Sequence, residues 1–487
     1  MMAADEWRPH NGMSMNPLNF KYPCGITRRQ SLAQMGNGFF GTAMAYMLAK
    51  DGLTGAAAAD LPGAITSITA PRKPHSAPKA KACIFLYMVG GPSHIDTFDP
   101  KPRLKELHGK DHKVSASSAQ SQKSGGQCKA SPFRFDKCGQ SGVEISQILP
   151  HLQKVGDDLT ILRGMHCDSA AHGAATLQMN TGYIRQGFPA LGSWCVYGLG
   201  SVNQNLPGFV VLVNGAPYSG AQNWSSAFMP AAYQGTVFRG GAEPVANIRP
   251  GTASLDEQRQ QLDLLTKLNE SHMKTDPTND ELAARIASYE LAFRMQASAP
   301  EAVDLAQESD ATRELYGIGK GPADRFGQSC LMARRLVERG VRFIEIFHSN
   351  WDTHGDNDKR HERLTSEIDQ PWAGLIQDLK QRGLLDSTMV VWAGEFGRTP
   401  FGDGGRDHHA AGFSAVVAGG GFKGGVTHGA TDDIGFFAVD GKTHVHDLHA
   451  TILHQMGLDH ERLTYRYSGR DFRVTDVEGH VIKEVLA

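Results

Sequence analysis

The stretch Ser387–Gly425, STMVVWAGEFGRTPFGDGGRDHHAAGFSAVVAGGGFKGG, decides how this chain is read. Thr388 to Trp392 is a short, apolar, β-branched run with the composition of a fully buried parallel strand. It breaks at Gly394 into Glu395, Phe396, Gly397 and Arg398. In open α/β sheets ligands bind outside the carboxyl ends of the strands, so Glu395 and Arg398 stand where function concentrates. Arg406, Asp407, His408 and His409 follow, and then a second buried run, Phe413 to Ala418. Adjacent histidines beside an aspartate have metal-ligand chemistry. A polar loop with solvated histidines is the alternative.

Working outward, two more strand ends deliver the same residue types. Ala82 to Val89, ACIFLYMV, stops at Gly90-Gly91-Pro92 and is followed by His94, Asp96 and Asp99. Val341 to Phe347, VRFIEIF, leads into His348, Asn350, Trp351, Asp352, His354, Asp356 and Asn357. A further strand, Asp158 to Arg163, precedes Cys167, Ser169 and His172, the last at the start of a helix expected over Ala174 to Met179. Free amides and the helix dipole make such a start an anion cradle, although these three residues equally suit capping and packing. That three strand ends are solvated loops together is much less probable than for any one.

The other segments read as scaffold. SLDEQRQQLDLLTKLNESHMK and NDELAARIASYELAFRMQ have the spacing of amphipathic helices, and Phe326 to Arg339 is a further helix, so residues 251–340 form a helical insertion. Gly192 to Gly200 begins a helix, and Gly208 to Val213 is another core strand. Phe133 to Phe135 and Val143 to Ile145 form a small hairpin, His108 to Ser131 is an exposed insertion, and Val445 to Leu453 is a helix docked on the sheet. His446 or His449 is open to a ligand role, with helix-surface or cap roles the preferred reading.

At 487 residues and 40% hydrophobic content the chain can bury a large core. Lys+Arg 49 against Asp+Glu 51 leaves no electrostatic footprint for nucleic acid. Seven cysteines include no CxxC pair, which argues against a zinc finger or a disulfide scaffold; Cys128 and Cys138 are the candidate bridge. Residues 1–59 have the layout of a twin-arginine export signal: Arg28-Arg29, a weakly apolar run from Gly36 to Ala49, and an Ala-x-Ala site within Ala56 to Ala59. The run is too short and too rich in glycine and alanine for a membrane span. A linker, 60–80, then leads to one α/β domain, 81–487, and a periplasmic or secreted location follows from the signal.

GGPSHIDTFDPKP (Gly90 to Pro102), the MNTG of Met179 to Gly182, WDTHGDN (Trp351 to Asn357), GEFGRTP (Gly394 to Pro400), GRDHH (Gly405 to His409) and VHDLHATIL together resemble domain-of-unknown-function family 1501. That family is a twin-arginine-exported branch of the alkaline phosphatase and sulfatase superfamily. The resemblance implies a doubly wound, mostly parallel sheet with helices on both faces, and a one- or two-metal site that hydrolyses phosphate or sulfate esters. It implies metal ligands Asp96, Asp352, His354, Glu395 and His408, with His172 at the nucleophile position. The metal is divalent: zinc, manganese or calcium. Arg398 and Arg406 would clamp the anionic oxygens of a small-molecule or polysaccharide ester, with Arg163 a weaker candidate. Two departures stand out. Cys167-Asp168-Ser169-Ala170-Ala171 lacks the proline and arginine of the formylglycine motif, and Glu395-Phe396 replaces an Asp-His pair. The second leaves two alternatives, no second metal or His172 as the missing ligand. A catalytically reduced protein that binds an anionic polysaccharide or a protein partner is the alternative function.

Replacing Arg28 and Arg29 together by Lys is expected to hold the precursor in the cytoplasm. Cell fractionation checks this, and mature protein outside the cytoplasm would refute the signal.

Overall fold

The computed structural model describes residues 68–239, 244–246, 248, 254–275 and 280–487; Arg28, Arg29 and the Ala56 to Ala59 region lie outside them. The centre of the fold is β1 (Ala82–Met88), every residue of which is buried. Ile84, Leu86 and Met88 enter one core, and Cys83, Phe85 and Tyr87 enter another on the opposite face. Burial on both faces is why the run is continuously apolar instead of alternating.

Eight further strands complete the sheet: β2 (Leu159–His166), β3 (Phe209–Asn214), β4 (Thr236–Phe238), β5 (Phe343–His348), β6 (Thr388–Ala393), β7 (Phe413–Ala418), β8 (Val426–His428) and β9 (Thr443–His444). Their order is β8-β2-β7-β6-β1-β5-β3-β4, with β9 beside β2. β1 pairs in parallel with β5 and β6, whereas β7 runs antiparallel to both its neighbours, β6 and β2. The helices α1 (His172–Thr181) and α2 (Leu191–Leu199) cover one face together with a C-terminal helix, Val445–Gln455. The other face is covered by helices at Asp280–Val303, Asp324–Glu338 and Asn357–Gln381. This is a doubly wound α/β fold.

In chain order after α2 the helices are α3 (Leu255–Thr275), α4 (Asp280–Val303), α5 (Asp324–Glu338), α6 (Asn357–Gln381) and α7 (Val445–Gln455). α3 falls in a separate compact unit from residues 66–249 and 277–487, and within it Arg259 pairs with Asp263 one turn on. The span expected as a helical insertion ends in α5, whose Cys330, Leu331, Met332 and Leu336 belong to the main core. No helix among the described residues is long and apolar enough to cross a membrane.

Three local expectations are corrected. Residues 108–131 are not simply an exposed insertion. They contain a short hairpin, Asp111–Lys113 with Gly125–Gln127, and end in a buried Cys128 packed with Phe401, Ile95 and Phe436. Cys128 and Cys138 lie in different cores and are free, like the other cysteines among the described residues. His446 and His449 are buried, not superficial. Their Nε2 atoms donate to Gly182 O at 2.7 Å and Met179 O at 2.8 Å, satisfying carbonyls at the end of α1. The cap of α7 is His444. The described part of the expected linker is tied down, with Arg72 N donating to Leu199 O and Lys79 N to Gln455 O.

Gly90 connects this fold to its carboxyl edge. Its φ is +114°, and a Cβ there would lie 2.3 Å from Asp352 N. Gly90→Ala is therefore expected to lower the unfolding free energy by more than the roughly 1–3 kcal/mol of backbone strain alone, as read by urea titration.

Candidate metal centre

The loops after β1, β5 and β6 meet at one guanidinium. Arg398 is fully buried; its Nε donates to Gly91 O (2.9 Å), its Nη1 to Arg406 O (3.1 Å), and its Nη2 to Gly90 O, Trp351 O and Asp352 Oδ1. The Arg398–Asp352 contact is 2.7 Å. Asp352 Oδ1 thus has a fixed position at the end of β5.

Three imidazoles converge on that oxygen. His172 Nε2 lies 3.3 Å from it, His354 Nε2 3.0 Å and His408 Nε2 3.2 Å. In each ring the other nitrogen is anchored by an acceptor. His172 Nδ1 donates to Glu395 Oε1 (2.6 Å), His354 Nδ1 to Asp407 Oδ1 (3.0 Å) and His408 Nδ1 to Ala170 O (3.0 Å). An imidazole whose Nδ1 carries the proton presents Nε2 as a lone pair, the form that binds metal. The Nε2 atoms of His354 and His408 are 2.9 Å apart, so two lone pairs repel unless a proton or a metal cation lies between them. His172 Nε2 is buried and makes no hydrogen bond. Ligand atoms of His172, Asp352 and His408 all lie within 4.8 Å of one another. Tetrahedral bonds of about 2.0–2.1 Å place ligand atoms about 3.3 Å apart, so the donors fit one metal ion.

The surroundings are part aromatic. Tyr218 stacks on His172 with ring centroids 4.2 Å apart and an 8° interplanar angle. Phe396 lies 4.8 Å from His172 and 4.9 Å from His408, so an apolar ring occupies the position next to Glu395 where the resemblance expects an imidazole. Burial pushes the Asp352 carboxyl up, but the neighbouring His172 and His408 rings and the Arg398 charge outweigh that and hold it well below the usual carboxylate range. Burial likewise pulls His172 down, and the carboxylates of Asp352 and Glu395 leave it raised. Burial lowers His408.

Several expected site residues do other work. Asp96 is committed to other partners: it is fully buried and held by Arg406, Nε to Oδ2 at 2.8 Å and Nη2 to Oδ1 at 3.2 Å, with Asn357 Nδ2 at 3.0 Å. Arg406 is thereby committed to Asp96 and to Thr399 O, and Arg398 to the loop carbonyls, so neither guanidinium faces outward as an oxyanion clamp. Glu395 lies one bond behind the cluster, where it orients His172 and accepts from Gly90 N at 2.8 Å. Arg163 donates to Phe98 O and lies beside Asp99 and Glu144, away from the cluster. Cys167 is buried, with its thiol pushed up to about 12 by that burial, and it donates to Glu395 O. Sequence reasoning missed Tyr218, which stands in a turn with no motif, and the anchoring role of Asp407, which the quoted Arg-Asp-His-His run contains.

A doubly wound α/β protein with a His/Asp centre at the carboxyl edge of its sheet is the class that these observations define. The family described as "Protein of unknown function (DUF1501)" matches residues 80–486, and the chain belongs to it. No curated protein matches the sequence. Similar solved structures include PsFucS1 sulfatase from Pseudoalteromonas sp. (12% identity, 80% of this chain and 68% of that one, TM-score 0.34). Ps i-CgsB in complex with k-i-k-neocarrahexaose is another (10%, 80% and 73%, TM-score 0.36), as is alkaline phosphatase from the Antarctic bacterium TAB5 (10%, 70% and 92%, TM-score 0.28).

Glu395→Gln is expected to weaken metal binding about 10–100-fold without removing a ligand atom, measured by chelator competition. Asp96→Ala should behave oppositely. It leaves the Arg406 charge buried and costs about 3–5 kcal/mol of stability by denaturant titration, while the folded fraction keeps its metal.

Proposed function

We propose that this protein is a metal-dependent hydrolase of phosphate or sulfate esters that works outside the cytoplasm. The observation that carries this reading is the convergence of three anchored imidazoles on Asp352 Oδ1. His172, Asp352, His354 and His408 would hold the metal. Three imidazole nitrogens and one carboxylate oxygen suit zinc or manganese better than calcium, which takes oxygen ligands. A divalent ion at this place supplies Lewis acidity toward an ester oxygen and makes water more acidic.

The chain's own residues do the rest. Glu395 keeps the His172 proton on Nδ1, and Arg398 keeps Asp352 ionised and oriented. With one nitrogen bonded to Glu395 and the other committed to the centre, His172 has no free electron pair for attack. Water would then be the nucleophile: its oxygen forms the new bond to phosphorus or sulfur and gives up a proton to solvent, the ester bond breaks, and the leaving oxygen takes a proton. Tyr218, whose ring stacks on His172, would donate that proton. It is partly exposed over His172, and burial with the charges of Asp352 and Glu395 raises its hydroxyl above the ordinary value, so it stays protonated at neutral pH. The bland reading, a protein that binds anionic esters without turnover, draws support from His172 standing where a hydroxyl or formylglycine nucleophile is expected. The signal-like layout of residues 1–59, with Arg28-Arg29 ahead of a weakly apolar run, supports the location.

Purified protein is expected to carry a divalent metal and to hydrolyse aryl phosphate or aryl sulfate esters. Asp352→Asn should lose both properties. Tyr218→Phe should keep the metal and lose about 10²-fold or more in kcat. Metal present in the wild type with no turnover of either ester class would favour the binding protein, and full metal in Asp352→Asn would refute the centre.

A further inference from the structure

A second cleft, of about 630 Å³, opens at the carboxyl ends of β3 and β4 beside α5. Asn214, Trp224, Arg239, Arg325 and Ser329 are among its lining residues. Among the described residues its lining contains two guanidinium groups and no carboxylate. Both arginines are exposed, and neither makes an ion pair among the described residues; Arg325 has one long bond, Nη2 to Val213 O at 3.4 Å. Elsewhere on the same side of the fold arginines are compensated: Arg334 and Arg335 share Glu308, Arg339 takes Glu301, and Arg382 takes Asp378 and Glu338. Two uncompensated cations at the rim of a concave, mostly apolar surface attract an oxyanion, and guanidinium is the group that binds sulfate, phosphate and carboxylate by paired hydrogen bonds.

The cleft adjoins the candidate metal centre along two chain segments. From Asn214 in its wall the chain runs through Gly215 and Pro217 to Tyr218 on His172, a path that spans at most about 15 Å. Asn214 also pairs in register with His348 on β5, and β5 runs on to Asp352. A Cβ on Gly215 would meet Ser349 Oγ at 1.9 Å, so the two strand ends approach as closely as glycine permits. Trp224 in the cleft lies 5.6 Å from Phe347, and Phe347 lies 5.2 Å from Tyr87, whose hydroxyl reaches Glu395.

We propose that the cleft holds a second anionic group of the substrate, so that this protein acts on polyanionic esters: one ester group at the centre, and another sulfate, phosphate or carboxylate between Arg239 and Arg325. The inference rests on the hydrolase reading for its first anchor and on the unpaired arginines for its second. It assigns specificity to residues that take no part in the chemistry. A ligand that reaches both anchors gains from effective concentration, and the gain depends on its length.

The test is calorimetric titration of the full-length, metal-loaded protein with alkane monosulfonates and α,ω-alkanedisulfonates of increasing length, whose carbon–sulfur bonds ester hydrolysis does not break. The disulfonate of matching length is expected to bind at least about tenfold more tightly than the monosulfonate and to perturb Trp224 fluorescence, with Trp224→Phe removing that signal. The gain should vanish in the Arg239→Ala/Arg325→Ala protein. Both side chains are exposed, and circular dichroism verifies that the variant is folded. Bisphosphonates and sulfonate–carboxylate probes of the same length identify which oxyanion the cleft prefers. Equal affinity for mono- and disulfonates, or a gain that survives loss of both arginines, overturns the proposal. A gain that survives in Asp352→Asn but not in the arginine variant instead overturns the metal centre as the first anchor, leaving an anion cleft that stands alone.

Discussion

The fixed point of this molecule is the Arg398 guanidinium. A buried cation persists only when acceptors replace the water it has lost, and here they are carbonyls of Gly90, Gly91, Trp351 and Arg406 together with one carboxylate oxygen. Because those acceptors belong to loops after β1, β5 and β6, satisfying one charge sets the relative positions of three strand ends. Asp352 inherits its place from that network, and the imidazoles take theirs from Asp352 and from their own anchors. Burial lowers the Arg398 pKa and the Asp352 carboxylate raises it, so each member of the pair makes the other's ionisation tolerable.

The second layer of the centre is built with unlike parts. Glu395, Asp407 and the Ala170 carbonyl each hold one Nδ1 proton, yet the first is fully buried and the second is not. His172 is therefore the most rigidly set ring, stacked between Tyr218 and Phe396, while His354 is the most exposed, at 44% of its side chain. Asymmetry of this kind leaves one side of a ligand cage open to an incoming group. The ring of Phe396 lies against both His172 and His408, so an apolar group borders the cluster there.

Much of this architecture was legible in the sequence, for physical reasons. β1, β5 and β6 are buried on both faces, so they appear as unbroken apolar runs, and their carboxyl ends carry the polar residues that such burial forbids elsewhere. Asp352, His354, His408 and His172, which the sequence places after strand ends, come together in the structure. Asp96 and Arg406 were misread because residue type does not reveal partners. A carboxylate after a strand suits a metal or an arginine equally, and the deciding contact joins residues far apart in the chain. Glu395 was one bond out of place for the same reason, since a carboxylate that ligates and one that orients a ligand look alike in sequence. Residues 108–131 read as exposed because their polar composition hides Cys128, whose burial depends on Phe401 and Phe436 from the other end of the chain.

The strand order has a consequence for how the protein is made. β1 is the middle of the sheet, yet its two neighbours begin at Phe343 and Thr388, so nothing can pair with it while the intervening chain is being synthesised. At about 5–20 residues per second that interval lasts tens of seconds. Throughout it ACIFLYM is an unpaired, uncharged, β-prone heptapeptide of the kind that nucleates intermolecular sheets. A fold whose central strand is translated first and paired only after so long an interval depends on something to shield that strand, and newly made chains would be its most aggregation-prone form.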